Sequence, residues 1–398
     1  MSYDEILCDA NILYKAYLAS VKTSKWKEST QRVILNYLTY IFQILDDLRN
    51  RTLTNDPTDE FPLNERGKVR PITSLTTKDR IIRHAICDEI LLPKIRPKII
   101  YDNSASIKGR GMSHARKRFE IHIRKAYREY GSDSYILFGD FKKFYDNIIH
   151  KIVKKMLIEL VDDDEFISWL LDVIFDGFKI DVSYMTDEEY DACLHNVFDK
   201  LKYRQTIPKD ILTGEKFMEK SVNIGDQISQ IIGIFYPHRI DTYVKFVRSQ
   251  KYYGRYMDDW YLICRTKEEL IDIYNGICEI AKELGIHINT KKTRIVKLCS
   301  SYKFLQVKYE MTEDGKLYKK INPKRVVCFR RKIKKLAIKV LEGTSTYENV
   351  ENTFKSWMGA YYKLLTKVQR ENLITLYEDL FNKRIDIVNK KMVITNKE

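Results

Sequence analysis

Two adjacent aspartates, Asp258 and Asp259, lie between apolar runs in the stretch GRYMDDWYLIC at residues 254–264. Repulsion and desolvation both oppose the burial of two like charges side by side. A divalent cation would offset both costs, because it would be the largest local charge in such a site. A solvated hairpin tip would accommodate the pair without an ion. The stretch therefore predicts strand, tight turn and strand, with either a cation site or a polar turn at the tip.

A third aspartate, Asp140, ends the short apolar run YILFGD, which predicts a buried strand over residues 135–140. Two cations that act together in phosphoryl transfer lie about 3.5–4 Å apart and need carboxylates on rigid elements. Strand ends meet that requirement, and magnesium prefers oxygen ligands. The candidate metal ligands are therefore Asp140, Asp258 and the main-chain carbonyl of Phe141.

Net charge and cysteine usage narrow the class of protein. The chain of 398 residues carries 70 Lys and Arg against 55 Asp and Glu, a net charge of +15. Such an excess is typical of proteins that bind a polyanion, although a merely basic surface gives the same number. Its seven cysteines include no C-x-x-C pair, which argues against a disulfide framework or a structural zinc site. With no signal peptide and no apolar run near 18 residues, we expect a cytoplasmic protein that does not contact a membrane.

Apolar periodicity predicts helices over residues 1–50, with eight side chains on one broad face. These are Val33, Leu35, Tyr37, Leu38, Ile41, Phe42, Leu45 and Leu48. Residues 51–63 are interpreted as a linker and residues 64–73 as a hairpin that turns near Gly67. The segment IHIN is expected to be a short strand, and the C-terminal part of the chain is expected to be helical.

The motifs around the aspartates resemble those of reverse transcriptases, in the family's order. RYMDDWYLI resembles motif C, FGDFKKFYDNI motif A, NIGDQISQIIGIFY motif B, HINTKKT motif D and YKFLQV motif E. Upstream, RPITSLTTKDRIIRHAI and SASIKGRGMSHA resemble finger motifs of the group II intron and diversity-generating branches. A lone Y-x-D-D is a weak signal, but order and spacing agree from about residue 64 to 310. The chain is thus identified as similar to prokaryotic stand-alone reverse transcriptases, including retron-like ones.

The resemblance implies an α+β, right-hand polymerase fold, with fingers, a palm built on an antiparallel sheet, and a helical thumb. The implied division is 1–60 for an N-terminal helical extension, 61–134 and 150–222 for the fingers, 135–149 and 223–312 for the palm, and 313–398 for the thumb. The long segment between motifs A and B and the N-terminal helices favour the defence-associated group, which includes abortive-infection enzymes.

For the catalytic residues, the resemblance implies that Asp140 and Asp258 bind two Mg²⁺ ions, for which Mn²⁺ is a substitute. Asp259 would support the site from the hairpin. Lys292 matches the motif D lysine, which protonates the leaving pyrophosphate and so acts as a general acid. Lys291 and Lys292 together would also fit a solvated charge run.

For the incoming nucleotide, the resemblance implies contacts from the finger hairpin and from motif A. Lys68 and Arg70 would neutralise the triphosphate, and a guanidinium can bond two phosphate oxygens at once. Two solvated charges are the alternative there. Tyr145 would lie under the sugar and exclude a 2′ hydroxyl, which favours deoxynucleotides. Asp146 is next in the chain, and RNA-dependent RNA polymerases carry an aspartate near this point.

Motif B supplies the remaining nucleotide-binding candidates, Gly225, Asp226 and Gln230. Gly225 would allow the backbone to approach the nascent base pair or the dNTP. Two positions depart from the usual pattern: Ile224 replaces a common glutamine, and Gln306 replaces the glycine of motif E. These departures put ordinary fidelity and the usual primer grip in question.

Two basic stretches are candidates for nucleic-acid binding. Residues 106–130 hold eight Lys or Arg against two Glu, and residues 316–339 hold eleven and no acid. The candidate contacts are Lys108, Arg110, Arg325, Arg330, Arg331, Lys334 and Lys335. A helix with one basic and one apolar face over the second stretch would follow a duplex backbone, with affinity that falls with salt. A solvated charged face is the alternative.

The predicted function is RNA-directed DNA synthesis from dNTPs, with a role in antiviral defence. The expected partners are an RNA template, a DNA, RNA or protein primer, and a non-coding RNA or a second protein. With 27 tyrosines, a template-independent or protein-primed nucleotidyl transferase remains an alternative. A non-catalytic nucleic-acid-binding scaffold is another.

Overall fold

The computed structural model describes residues 2–65, 67–388 and 391–396, in a mixture of helices and sheets. The chain divides into two units, Met1–Ile295 and Val296–Glu398. The mixture agrees with the α+β prediction, while the finer division into fingers, palm and thumb stays a prediction. Among the described residues, no helix is both long enough and apolar enough to cross a membrane.

The first unit is mostly helical. Its α-helices are α1 (Tyr3–Leu7), α2 (Ala10–Val21), α3 (Glu28–Leu35), α4 (Tyr37–Arg49), α5 (Thr77–Ile86), α6 (Leu92–Ile95), α7 (Met112–Tyr130), α8 (His150–Glu159), α9 (Glu165–Asp176), α10 (Asp187–His195), α11 (Lys200–Thr206), α12 (Gln227–Phe235), α13 (His238–Thr242) and α14 (Lys267–Glu283). Its strands are β1 (Asp59–Glu65), β2 (Lys68–Ser74), β3 (Tyr135–Asp140), β4 (Ile180–Asp181), β5 (Phe217–Met218), β6 (Tyr253–Tyr256) and β7 (Asp259–Cys264), and β8 (Arg294–Lys297) follows at the boundary.

A four-stranded sheet in the order β6-β7-β3-β8 carries the candidate catalytic residues. Strand β3 pairs antiparallel with β7, and β7 pairs antiparallel with β6. Helices α7 and α14 pack on this sheet. Gly139 lies opposite Trp260, and a Cβ at Gly139 would come within 2.1 Å of the indole ring. Only glycine fits there, because the indole covers the backbone directly before Asp140.

The finger hairpin predicted from sequence is present but longer. Strands β1 and β2 pair antiparallel from Asp59↔Ser74 to Glu65↔Lys68, and Gly67 in the turn has a positive φ of 80°. The linker predicted over residues 51–63 therefore ends before residue 59, since residues 59–63 belong to β1. Pro62 and the turn-forming residues before it had indicated a linker, because proline is rare inside strands.

The single apolar face predicted over residues 33–48 is wrong. The helix is interrupted at Asn36, whose φ and ψ of −121° and 27° end α3 and precede α4. Ile41 and Leu45 are buried, whereas Leu35, Leu38 and Phe42 are 81%, 55% and 57% exposed. The break changes the rotation of one helix relative to the next, so one continuous 3.6-residue period does not describe both.

The long segment after motif A contains a small core of its own. Strands β4 and β5 pair, and α10 and α11 lie between them in the chain. Its buried apolar side chains are Ile180, Val182, Met185, Phe198, Tyr203 and Met218. Lys220 is fully buried and donates hydrogen bonds to three carbonyls at the end of α10, which offsets the partial negative charge there.

The second unit has a three-stranded antiparallel sheet in the order β11-β10-β9, three helices and a terminal hairpin. Its elements are β9 (Ser301–Phe304), β10 (Val307–Met311), β11 (Leu317–Ile321), α15 (Pro323–Leu341), α16 (Tyr347–Tyr361), α17 (Lys367–Phe381), β12 (Lys383–Val388) and β13 (Lys391–Asn396). The expectation of an entirely helical C-terminal part is wrong, because Asn382 adopts a left-handed conformation and β12 and β13 follow it. The predicted strand IHIN is also wrong: within the described residues it forms no strand, and Ile288 makes an isolated bridge to Phe141.

Candidate active site

The sheet register brings the three aspartates together. Asp140, the last residue of β3, lies opposite Asp259, the first residue of β7. Asp258 is in the tight turn before β7, and its carbonyl accepts a hydrogen bond of 3.2 Å from the backbone N–H of Phe141. Met257 has a positive φ of 55°, which makes the turn tight. All three carboxylates are therefore held on backbone elements at one end of the sheet.

Burial and mutual repulsion shift the pKa values of two of these carboxylates upward. Burial, followed by the negative charge of Asp140, raises the pKa of Asp258. Burial, followed by the charges of Asp258 and Asp140, raises the pKa of Asp259 to about 7. Burial and the neighbouring charges thus both oppose ionisation of these carboxylates, and a bound cation would favour the ionised forms.

The donor set is compatible with magnesium. Among the described residues, no group of three or more His, Cys, Asp or Glu side chains forms a metal cage. Magnesium does not require one, because it is usually bound through one or two carboxylates together with water and substrate phosphates. Asp140, Asp258 and the carbonyl of Phe141 provide oxygen ligands of that kind.

Lys292 and Asn289 both bind the Asp140 carboxylate. Lys292 Nζ lies 2.6 Å from Oδ1, and Asn289 Nδ2 donates to Oδ2 at 2.8 Å. The backbone N–H of Asn289 also donates to the Asp140 carbonyl, at 2.8 Å. Burial lowers the pKa of Lys292, but its hydrogen bond to Asp140 and the nearby carboxylates outweigh burial and raise it. Lys292 is therefore protonated beside the aspartates.

The finger hairpin places positive charge near the same carboxylates. The charge of Arg70 opposes the upward shift in the pKa of Asp258, and that of Lys68 opposes the upward shift in the pKa of Asp259. Arg70 Nε also lies 3.3 Å from Glu65 Oε2, in a pair that is about half exposed on both sides. Exposed pairs of this kind contribute little, so Arg70 is available to exchange Glu65 for another anion.

Tyr145 packs between motif B and the aspartate turn. Its hydroxyl lies 3.7 Å from Met257 Sδ, and a Cβ at Gly233 would come within 2.8 Å of that hydroxyl oxygen. Burial raises the pKa of Tyr145 well above its usual range. Asp146 is buried away from this contact, and its pKa is raised to about 6 by burial, against the opposing charges of Lys143 and Lys200. Tyr145 is thus the member of the pair that faces the candidate site.

The motif B loop is fixed against the finger hairpin by a parallel bridge between Ile72 and Ile224. Gly225, with a φ of 110°, and Gln230 line a cavity of about 580 Å³. Gln230 Oε1 accepts a hydrogen bond of 3.2 Å from Ser106. The positive φ explains the glycine, because other residues are strained in that conformation.

Asp226 is held in a buried ion pair. Its carboxylate lies 3.3 Å from Arg83 Nε, with both side chains at most 2% exposed. The same carboxylate accepts from the backbone N–H of Ile228 at 3.2 Å and so caps α12. These contacts give Asp226 a role in anchoring the motif B helix, while its predicted contact with a nucleotide stays a prediction.

Lys108 and Arg110, the nucleic-acid-binding candidates of the first basic stretch, differ in their surroundings. Lys108 lines the 580 Å³ cavity together with Gly225 and Gln230. Arg110 Nη1 donates to three main-chain carbonyls, and its guanidinium lies 5.0 Å from the ring of Tyr101. Arg110 therefore holds its own loop in place.

In the second unit, α15 has the predicted basic and apolar faces. Val326, Phe329, Ile333 and Ala337 are buried. Arg330, Arg331, Lys334 and Lys335 are exposed and form no ion pair with any residue that the structure describes. Arg325 instead packs over the ring of Tyr361, 5.5 Å from its centroid, and donates a hydrogen bond to its hydroxyl. The four exposed cations form an unpaired basic face.

Two supporting residues were missed in the sequence. Arg255 is buried, pairs with Asp241 at 2.7 Å, and donates to the carbonyl of Met257 at 3.1 Å, which ties the aspartate turn to the helix before β6. For Arg255, the sequence did offer a signal, because a charged residue inside an apolar strand needs a buried partner. Asn289 had no such signal, because its role depends on meeting Asp140 in the folded chain.

A comparison with protein families gives one match, and it covers the candidate site. A family model described as reverse transcriptase (RNA-dependent DNA polymerase) matches residues 57–309. The matched region includes the three aspartates, the finger hairpin and Lys292. A search of curated proteins found no significant match.

Proposed function

The chain belongs to the reverse transcriptase family, and from that premise we propose that it extends a primer with dNTPs along an RNA template by two-metal phosphoryl transfer. The observation that carries the proposal is the convergence of Asp140, Asp258 and Lys292 at one end of the sheet. Carboxylates that repel one another beside a protonated lysine fit a site that binds cations and then releases a proton.

The metal ligands would be Asp140, Asp258 and the carbonyl of Phe141, with Mn²⁺ able to replace Mg²⁺. When bound, the two ions would make the primer 3′ hydroxyl more nucleophilic and stabilise the leaving pyrophosphate. Asp259 would support the turn and keep the local field negative. Asn289 orients the Asp140 carboxylate through its amide.

The remaining site residues would bind the nucleotide and move a proton. Arg70 and Lys68 would hold the triphosphate, and Gly225 would let the backbone approach the base pair. Tyr145, held between Gly233 and Met257, would press against the sugar and exclude a 2′ hydroxyl. Lys292 would donate its proton to the pyrophosphate oxygen as that oxygen leaves.

A primer-extension assay tests the proposal. With an RNA template, a DNA primer and Mg²⁺, we expect the wild type to consume dNTPs and the Asp140→Ala variant to be inactive. Asp210→Ala, which changes an exposed aspartate of the same chain, should retain full activity. Use of NTPs instead of dNTPs would favour an RNA polymerase and overturn the proposal.

The alternatives are separated in the same assay. DNA that forms without template or primer and stays covalently attached to the protein would indicate a protein-primed transferase. A biological effect that survives in Asp140→Ala would indicate a scaffold that binds nucleic acid without catalysis.

For the biological role, we propose a prokaryotic stand-alone enzyme of the cytoplasm that acts in antiviral defence. The support is the resemblance of its finger and B motifs to the stand-alone branches. The helices before residue 57 and the small core over residues 180–218 add to it. Bacteria that express the wild type should resist phage infection, and bacteria that express Asp140→Ala should not. Sequencing the nucleic acid that co-purifies with the wild type alone would identify the template.

A further inference from the structure

A short basic loop, Lys22–Lys27, joins α2 to α3, outside the region that the family model matches. It presents Trp26, whose side chain is 77% exposed, between Lys25 and Lys27. Lys27 Nζ lies 5.7 Å from the centroid of the indole ring. Residues 10–27 contain four lysines and no acid. A single exposed apolar residue is ordinary. An exposed tryptophan among lysines that form no ion pair with any described residue is the pattern of a surface that binds an anionic aromatic polymer.

The loop is held in one conformation by buried polar contacts. Ser24 is buried, and its hydroxyl accepts hydrogen bonds from Arg80 Nη1 at 3.2 Å and from Thr30 Oγ1 at 3.3 Å. Arg80 also donates to the carbonyl of Ser20. The backbone N–H of Lys27 donates to the Ser24 carbonyl at 3.0 Å. Trp26 is therefore presented on an ordered platform, so less entropy is lost when a ligand binds.

The loop borders two neighbouring cavities, one of which is also lined by motif B residues. Lys27 lines two neighbouring cavities of about 580 and 340 Å³, which also share Ser74, Leu75 and Arg80. The larger cavity is lined as well by the motif B residues Gly225 and Gln230. Cavities of a few hundred cubic ångströms accommodate a ligand about the size of one or two nucleotides. A strand that followed these cavities away from Gly225 and Gln230 would therefore reach Lys27.

We propose that the Lys22–Lys27 loop binds the unpaired segment of the RNA template next to the active site. An unpaired base would stack on Trp26, while Lys22, Lys25 and Lys27 would contact phosphates. A duplex is excluded as the occupant, because its bases are stacked on one another and cannot offer a free face to the indole. The inference rests on the proposed function, since it takes these cavities to be the template path.

Binding measurements with two substrates test this inference. Both pair a labelled DNA primer with an RNA template, and the template extends unpaired by about ten nucleotides in one and about two in the other. Trp26→Ala should weaken binding of the long-overhang substrate about five- to a hundredfold and leave the short one unchanged. Trp26→Phe should restore most of the loss. Lys25→Ala combined with Lys27→Ala should lower the salt dependence of long-overhang binding by about two units of slope.

The control is Leu35→Ala, which removes an apolar side chain that is 81% exposed on the adjacent helix. It should bind both substrates as the wild type does. Equal binding of the long overhang by Trp26→Ala and wild type would overturn the inference, and so would an equal loss on both substrates. Binding of polyglutamate that is as tight as RNA binding and depends on Trp26 would assign the loop to an acidic protein instead. Failure of the proposed function is separate, since the wild type would then bind both substrates and extend neither.

Discussion

Lys292 Nζ lies 2.6 Å from Asp140 Oδ1, although the two residues are far apart in the chain. The Asp140 side chain is 6% exposed and that of Lys292 is 52% exposed. The lysine therefore reaches from solvent into the group of carboxylates and is charged there. Its neighbour Lys291 forms no ion pair with any residue that the structure describes, and this contact with Asp140 distinguishes the two lysines of the KK pair.

Lys292→Ala should lower the rate of nucleotide incorporation about 10²–10⁴-fold, because a positioned proton donor is lost. Affinity for primer–template should hardly change. The measurement is single-turnover incorporation at saturating dNTP. Lys291→Ala is the matched control and should keep a rate near that of the wild type. An equal loss in both variants would mean that the two lysines act only through their charge.

Asp140→Asn should abolish extension without destabilising the fold. The variant removes one of two charges that repel each other, since Asp140 raises the pKa of Asp258. We expect the free energy of unfolding to stay constant or to rise by about 1 kcal/mol, because functional residues in active sites commonly reduce stability and their replacement restores it. Urea unfolding and primer extension on the same preparation measure both effects. A loss of several kcal/mol would show that Asp140 is mainly structural.

Local patterns were sufficient for the parts of the site that depend on neighbours in the chain. The apolar run before Asp140 and the turn at Asp258 each predicted their own strand ends, and both are present. The pairing of β3 with β7 joins distant segments, and it was expected only from the resemblance to a family. Asn289 was missed for the same reason, because it acts on a partner that the fold brings to it. Arg255 differs, because its charge inside an apolar strand was a local signal in the sequence.

The errors outside the site also have physical causes. Asn36 interrupts a helix whose apolar period continues on both sides, so periodicity merged α3 and α4 into one face. In β12 and β13 a signal was present, since apolar and polar residues alternate in RIDI and a short β-branched, apolar run, MVIT, follows. The preceding helical pattern of α17 outweighed it. Asn382 in the left-handed conformation marks the change from one element to the other.

Tyr145→Val should relax discrimination against ribonucleotides, because the ring packed against Met257 and Gly233 would no longer fill the space under the sugar. The measurement is the ratio of kcat/KM for dNTP to that for rNTP. We expect this ratio to fall at least tenfold, about the effect of losing one steric contact of 1.4 kcal/mol. Asp146→Asn is the control and should leave the ratio unchanged, since Asp146 is buried toward Lys143 and Lys200. A ratio that falls in Asp146→Asn and stays unchanged in Tyr145→Val would indicate that Asp146, and not Tyr145, selects the sugar.

Substitution of the exposed cations on α15 should weaken duplex binding in a salt-dependent way. Arg330→Gln, Arg331→Gln, Lys334→Gln and Lys335→Gln are made one at a time. Each variant that loses a phosphate contact should lower the slope of log affinity against log salt by about one. Lys155→Gln, at a position with a 78% exposed side chain on α8, is the control and should not change the slope. Unchanged slopes in all four variants would mean that this face is only solvated.

His150 should make the fold sensitive to mild acid. Burial lowers its pKa to about 4. Its ring packs edge-to-face against Phe175, and Nε2–H donates to the Ser221 carbonyl. The unfolded chain takes up a proton near pH 6.5, whereas the folded chain does so only near pH 4. The contribution of neutral His150 to the free energy of unfolding is therefore fully present above pH 6.5. It is lost as the pH falls toward 4, by about 2 kcal/mol between pH 7 and pH 5.

Urea unfolding at a series of pH values measures this effect. His150→Gln should reduce the fall in the free energy of unfolding between pH 7 and pH 5, while His195→Gln, at an exposed position, should leave it unchanged. A profile of the same slope in wild type and His150→Gln would show that other groups control the acid sensitivity.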